Sequence, residues 1–113
     1  MIYSYELTDL VIKDIDDTLN YISNKLCNKK AAIDLMNNIE ACINNICEFP
    51  LSYPNCNYYL IKDDSIRHAV IKNYILVFKI YDNKIIFLRF KYSKQNKMEL
   101  VLAPFVFINC LFL

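Results

Sequence analysis

A chain of 113 residues has the length for one hydrophobic core, and its 13 Lys/Arg against 12 Asp/Glu leave a formal charge of only +1. This balance argues against a uniformly basic nucleic-acid binder, and the absence of Gly leaves turn-making to Asn, Asp, Ser and Pro. The charge is nevertheless polarised: residues 1–61 set four Lys against eight acids, whereas residues 62–97 set nine Lys/Arg against three and hold the single His and both Arg. A cationic working surface therefore belongs to the C-terminal half.

Residues 1–6 (MIYSYE) alternate Ile2 with the strand-forming Tyr3 and Tyr5, predicting a short opening strand. Thr8 then offers an N-cap, and Asp9 suits the positive end of a helix dipole. Leu7, Val11, Ile15, Leu19, Ile22 and Leu26 recur at steps of three or four and form one helical stripe, with Lys13, Asp14, Asp16 and Asp17 read as largely off it. Cys27–Lys30 is a polar break. A second helical period runs through Ala32, Leu35, Ile39, Cys42/Ile43 and Ile46 to Phe49-Pro50, where proline removes a donor and biases its predecessor away from helix. So short a connection predicts an antiparallel hairpin.

PLSYPNCN (50–57) reads as a linking loop, followed by candidate strands at 58–62, 66–72, 74–81 and 84–92. Asn73 makes a weak turn, and Asp82-Asn83 has the composition of a two-residue hairpin loop. The last two strands are apolar on both faces, as in central strands covered on both sides. The expected class is α+β: an N-terminal strand and a helical hairpin packed on a mainly antiparallel twisted sheet, β-α-α-β-β-β. Residues 1–98 form the expected domain, and 99–113 an apolar C-terminal extension. The uncharged LVLAPFVFINCLFL (100–113) is too short and interrupted for a membrane span. It suits a final strand or groove-filling segment, a dimer or partner contact, or an extension without a role.

Five cysteines (27, 42, 47, 56, 110), odd in number and lacking a CxxC pair, are expected to be reduced and mostly buried. One His cannot furnish a zinc site, and neither metal nor cofactor is expected. No cationic segment followed by an apolar run opens the chain, so the expected location is cytoplasmic.

In the order and spacing of these elements the chain resembles the RelE/ParE family of bacterial type II toxin–antitoxin toxins. The likeness lies in DIDDTLNYIS and AAIDLMNNIEACINNICEFPLSYP for the helical hairpin. In the sheet it lies in Arg67 on one strand and in NYILVFKIYDNKIIFLRFKYSKQN, where Arg89, Tyr92 and Lys94 match an Arg-x-x-(His/Tyr)-x-(Arg/Lys) pattern. The resemblance implies a toxin neutralised by a cognate antitoxin. It also implies either of two actions: cleavage of mRNA on the ribosome, or poisoning of DNA gyrase, as in plasmid stabilisation systems. The nuclease branch places an Arg where Ile75 stands, and a second where Gln95 stands. Isoleucine supplies neither charge nor bidentate donors for phosphate, so the gyrase branch is favoured. A ribosome-dependent nuclease using Arg67, Arg89, Tyr92 and Lys94 is the alternative, and a non-toxic binding module a third.

Arg67, Arg89, Lys91, Tyr92, Lys94 and Gln95 are the candidate partner-binding residues. Alternation should place Arg89 with Ile85, Phe87 and Lys91, and the arginines should find acids such as Asp63 or Asp64. His68 points away from Arg67 and reads as a packed, hydrogen-bonded imidazole. Tyr53, Tyr58, Tyr59 and Tyr74 read as core and sheet residues.

Overall fold

A computed structural model describes residues 2–55 and 65–93. Strand β1 (Ser4–Leu7) leads into helix α1 (Asp9–Asn20), which widens into a π-helical turn over Tyr21–Lys25. Helix α2 spans Lys29–Glu48, and a 3-10 turn, Pro50–Ser52, follows it. Strands β2 (Ile66–Ile71), β3 (Tyr74–Tyr81) and β4 (Lys84–Tyr92) complete the described chain. The α+β class holds, and β3 and β4 fall where hydropathy and turn chemistry put them. The candidate strand at 58–62 lies outside the described residues, as do Tyr58, Tyr59, Cys56 and Cys110.

Local chemistry explains the boundaries. Thr8 is the N-cap of α1, its hydroxyl accepting from the Val11 N–H at 3.2 Å, and Asn28 caps α2 by accepting from Ala31 N–H at 3.1 Å. In a chain without glycine, Cys27, Lys72 and Asp82 take the positive φ values of 51°, 55° and 53° that its turns require. Lys72 and Asp82 each open a two-residue hairpin loop, since Ile71 pairs with Tyr74 and Tyr81 with Lys84.

The sheet order is β1-β4-β3-β2, with β1 parallel to β4 and the other pairs antiparallel. Both helices cover one face. Val11 and Ile15 of α1, and Leu35, Ile39, Ile43 and Ile46 of α2, pack with Ala69, Ile71, Leu76, Phe78, Ile85, Phe87 and Phe90. On the other face Ile66, Ile75, Val77, Ile86 and Leu88 are also buried, matching the two-sided apolar pattern of β3 and β4. Among the described residues no helix is long and apolar enough to cross a membrane.

Regular geometry breaks at two places. Leu26 continues the sequence stripe, yet it is 56% exposed, because the π turn breaks the 3.6-residue period before it. In β4, Val77 opposes Arg89 while Phe78 opposes Phe87, so Leu88 is a bulge residue. The alternation expected from sequence therefore fails there. Ile85 and Phe87 face the helices, but Arg89 and Lys91 share the opposite face with their cross-strand partners Val77 and Ile75.

Candidate functional site

The bulge sits where β1 ends. Leu7 opposite Phe87 is its last pair, and beyond it the outer edge of β4 has no strand neighbour among the described residues. Backbone groups on such an edge need other partners, and α1 supplies them. The Thr8 hydroxyl donates to the Phe87 carbonyl at 2.8 Å, and one carboxylate oxygen of Asp14 accepts the Phe90 N–H at 3.0 Å.

Asp14 does more than cap the edge. The Arg89 guanidinium grips its carboxylate through two donors, Nε to Oδ2 at 2.7 Å and Nη2 to Oδ1 at 3.1 Å, with both side chains about 93% buried. Lys91 Nζ lies 3.2 Å from Oδ1 of the same group. This arrangement corrects two expectations. The acid facing Arg89 is Asp14 rather than Asp63 or Asp64, which lie outside the described residues. Asp14 itself lies within the buried face of α1, between Val11 and Ile15, not off it. An acid three residues after one buried apolar position and one before the next was the available signal for a buried ion pair.

Arg67 lies elsewhere. It opposes Phe78 and shares a side of β2 with Ala69 and Ile71, on the helix-covered face, where its guanidinium donates to the Tyr53 carbonyl at 2.6 Å. Arg89 is two strands away, roughly 10 Å at normal strand spacing, and on the opposite face. The structure therefore does not bring Arg67 and Arg89 into one site. His68 projects away from Arg67 and is buried, which lowers its pKa below the ordinary 6.5, while a hydrogen bond with the Asn55 backbone acts in the opposite direction. Ile75, at the position where a nuclease would carry arginine, is a buried residue opposite Lys91. Lys94 and Gln95 lie outside the described residues.

Tyr92 is the candidate that reaches open surface. With Tyr74, Phe90 and Lys91 it lines a cleft of about 670 Å³ whose other wall is Asp14, Asp17, Thr18, Tyr21 and Leu26. Tyr74 stacks on Phe90, with ring centroids 5.1 Å apart and planes at 14°, and Tyr92 meets Tyr74 edge-on at 5.5 Å. Burial raises the Tyr74 pKa above the ordinary 10. Each acid around the cleft has a cationic partner, Asp14 in Arg89 and Lys91 and Asp17 in Lys13 at 2.9 Å, with the cations one in excess. What the cleft offers is aromatic and aliphatic surface with phenol hydroxyls, rather than a free cationic cradle.

The described cysteines are free thiols. Cys47 is buried, Cys42 partly so, and Cys27 is exposed. No group of three His, Cys, Asp or Glu among the described residues is placed to hold a metal ion.

The model of the ParE toxin of type II toxin–antitoxin systems matches residues 5–97. Among solved structures, the chromosomal ParDE toxin–antitoxin system from P. aeruginosa is similar at 13% identity with a TM-score of 0.66. That match covers 82% of this chain and 98% of the other. The toxin–antitoxin complex RelBE2 from Mycobacterium tuberculosis is similar at 14% identity with a TM-score of 0.55, covering 81% of this chain and 99% of that one. No curated protein matches in sequence. At these identities the structural likenesses speak for the fold, and the family match over most of the chain decides membership: this chain belongs to the ParE toxin family of type II toxin–antitoxin systems.

Proposed function

We propose that the protein arrests growth by binding and poisoning DNA gyrase, without cutting RNA, and that a cognate antitoxin neutralises it in the cytoplasm. The observation that carries this reading is the fate of the two arginines. Cleavage of a phosphodiester by side chains alone needs cationic donors converging on the developing oxyanion, with a group to move the proton. Here Arg67 and Arg89 lie on opposite faces of the sheet, and Arg89 is tied up by a buried carboxylate. The surface around Tyr92 is better suited to contact with a protein partner, since exposed aromatics are the usual anchors of such interfaces.

An antitoxin tail able to lay an apolar face into the cleft would find such anchors there. The antitoxin as partner is supported by family membership and by structural neighbours that are themselves toxin–antitoxin complexes.

The purified protein should inhibit supercoiling by gyrase, or trap its cleaved-DNA complex, at stoichiometric concentrations. It should leave mRNA on programmed ribosomes intact. Cleavage in the ribosomal A site with gyrase unaffected would replace this reading with the nuclease one. Inactivity in both assays, with an antitoxin still bound, would make the chain a binding module.

A further inference from the structure

We infer that the cleft between the π turn of α1 and the end of β4 is occupied by the chain's own apolar tail, residues 100–113. The inference goes beyond the proposed function and does not rest on it. The first ground is chemical fit. Every acid on the cleft wall already has a cation, so a cationic occupant is not called for. The remaining surface is substantially exposed: Tyr21 is 55% exposed, Leu26 56% and Tyr92 36%. Exposing that much apolar side chain on one concave surface is unfavourable unless something covers it. The tail carries no charged residue in 14 positions and includes Phe105, Phe107, Leu111, Phe112 and Leu113. It is as unsuited to water as the cleft is.

The second ground is reach. Tyr92 both ends β4 and lines the cleft, and the Ser93 N–H is still held by the Asn73 carbonyl at 2.6 Å. The chain therefore leaves the described structure at the rim of the cleft. Residues 94–99 (KQNKME) can span at most about 20 Å, so the start of the tail is within reach of the cleft. A segment tethered so closely meets the cleft at an effective concentration on the order of mM. The third ground is that the family match stops at residue 97, and the solved relatives match about four-fifths of this chain while being almost wholly covered themselves. The tail is thus additional to the domain the relatives share. Docking of residues 100–113 would place it in competition with any partner that uses Tyr21, Leu26 or Tyr92.

The test uses the full chain and readouts independent of toxicity. Amide hydrogen exchange is compared between the parent and the tail variant Phe105→Asp/Phe107→Asp. Docking predicts at least tenfold faster exchange over residues 18–26, with Leu35–Ile46 of α2 unchanged. No change over 18–26 would overturn the inference. Should the variant exchange faster everywhere, it has lost its fold, and a second measurement on the unaltered chain decides. Cys27 is exposed beside Leu26, and Cys110 lies in the tail. A short bis-maleimide should join them within one molecule at low protein concentration, and Tyr21→Asp should cut the yield at least fivefold. A link formed only between molecules would place the tail on a second copy and overturn the inference, as would no link or one indifferent to Tyr21→Asp.

Discussion

The two halves of β4 are built on different principles. Lys84–Phe87 has a strand on either side, regular alternation, and Ile85 and Phe87 fully buried beneath the helices. Leu88–Tyr92 has lost β1, begins with a bulge, and on its outer edge replaces strand pairing with polar groups from Thr8 and Asp14. The first half is held by packing, which many apolar side chains share. The second, besides burying Leu88 and Phe90, depends on a few specific contacts centred on one carboxylate. The difference teaches that the cationic appearance of this strand end is internal architecture: Arg89 and Lys91 answer Asp14, and the surface left over is the aromatic cleft.

The contrast can be broken most sharply at Asp14. Asp14→Ala leaves the buried Arg89 without its acid and frees the Phe90 N–H, and should cost about 3–5 kcal/mol in the free energy of urea unfolding. A loss below about 1 kcal/mol would mean the pair is effectively solvated. Thr8→Ala comes next, removing the α1 cap together with the bond to the Phe87 carbonyl at the junction of the two halves. It should cost about 0.5–2 kcal/mol, and the loss should be nearly independent of salt, since no charge is involved.

The smallest effect lies outside β4, on the face of β2 turned away from Arg67. Burial lowers the His68 pKa in the folded chain, so as pH falls the unfolded chain takes up the proton first. The stability held above about pH 6.5 should therefore decline as pH drops through that value toward the lower folded pKa. Denaturant midpoints at pH 7.5 and 5.5 should differ less in His68→Gln than in the parent. An equal difference would assign the pH dependence to other groups.

Much of the architecture was legible in the sequence because its signals are local. Period-four apolar spacing marked α1 and α2, Phe49-Pro50 marked the end of α2, and Asp82-Asn83 marked the β3–β4 loop. The helix-capping role of Thr8 was equally legible. The features that decide the site were not. A one-residue bulge leaves no mark in a run such as IIFLRFKY, yet it moves Arg89 and Lys91 to the other face of the sheet. The π turn likewise continues an unbroken helical pattern while turning Leu26 outward. Asp14 reads as largely off the apolar stripe because acids are mostly exposed, and the partner that buries it lies 75 residues away. The paired role of Thr8, as cap of α1 and donor to β4, depends on the same long-range approach. The contacts are tertiary and arise from the place where β1 runs out.

The central claim is that Arg89 is a structural partner of Asp14 and no part of the working surface, and it can be tested by replacing both charges at once. Asp14→Leu/Arg89→Met fills the buried site with apolar groups of similar reach and should fold within about 2 kcal/mol of the parent. Induced in growing cells without antitoxin, this double variant is predicted to arrest growth as the parent does. A folded double variant that no longer arrests growth would contradict the account and return Arg89 to the site that acts on the target.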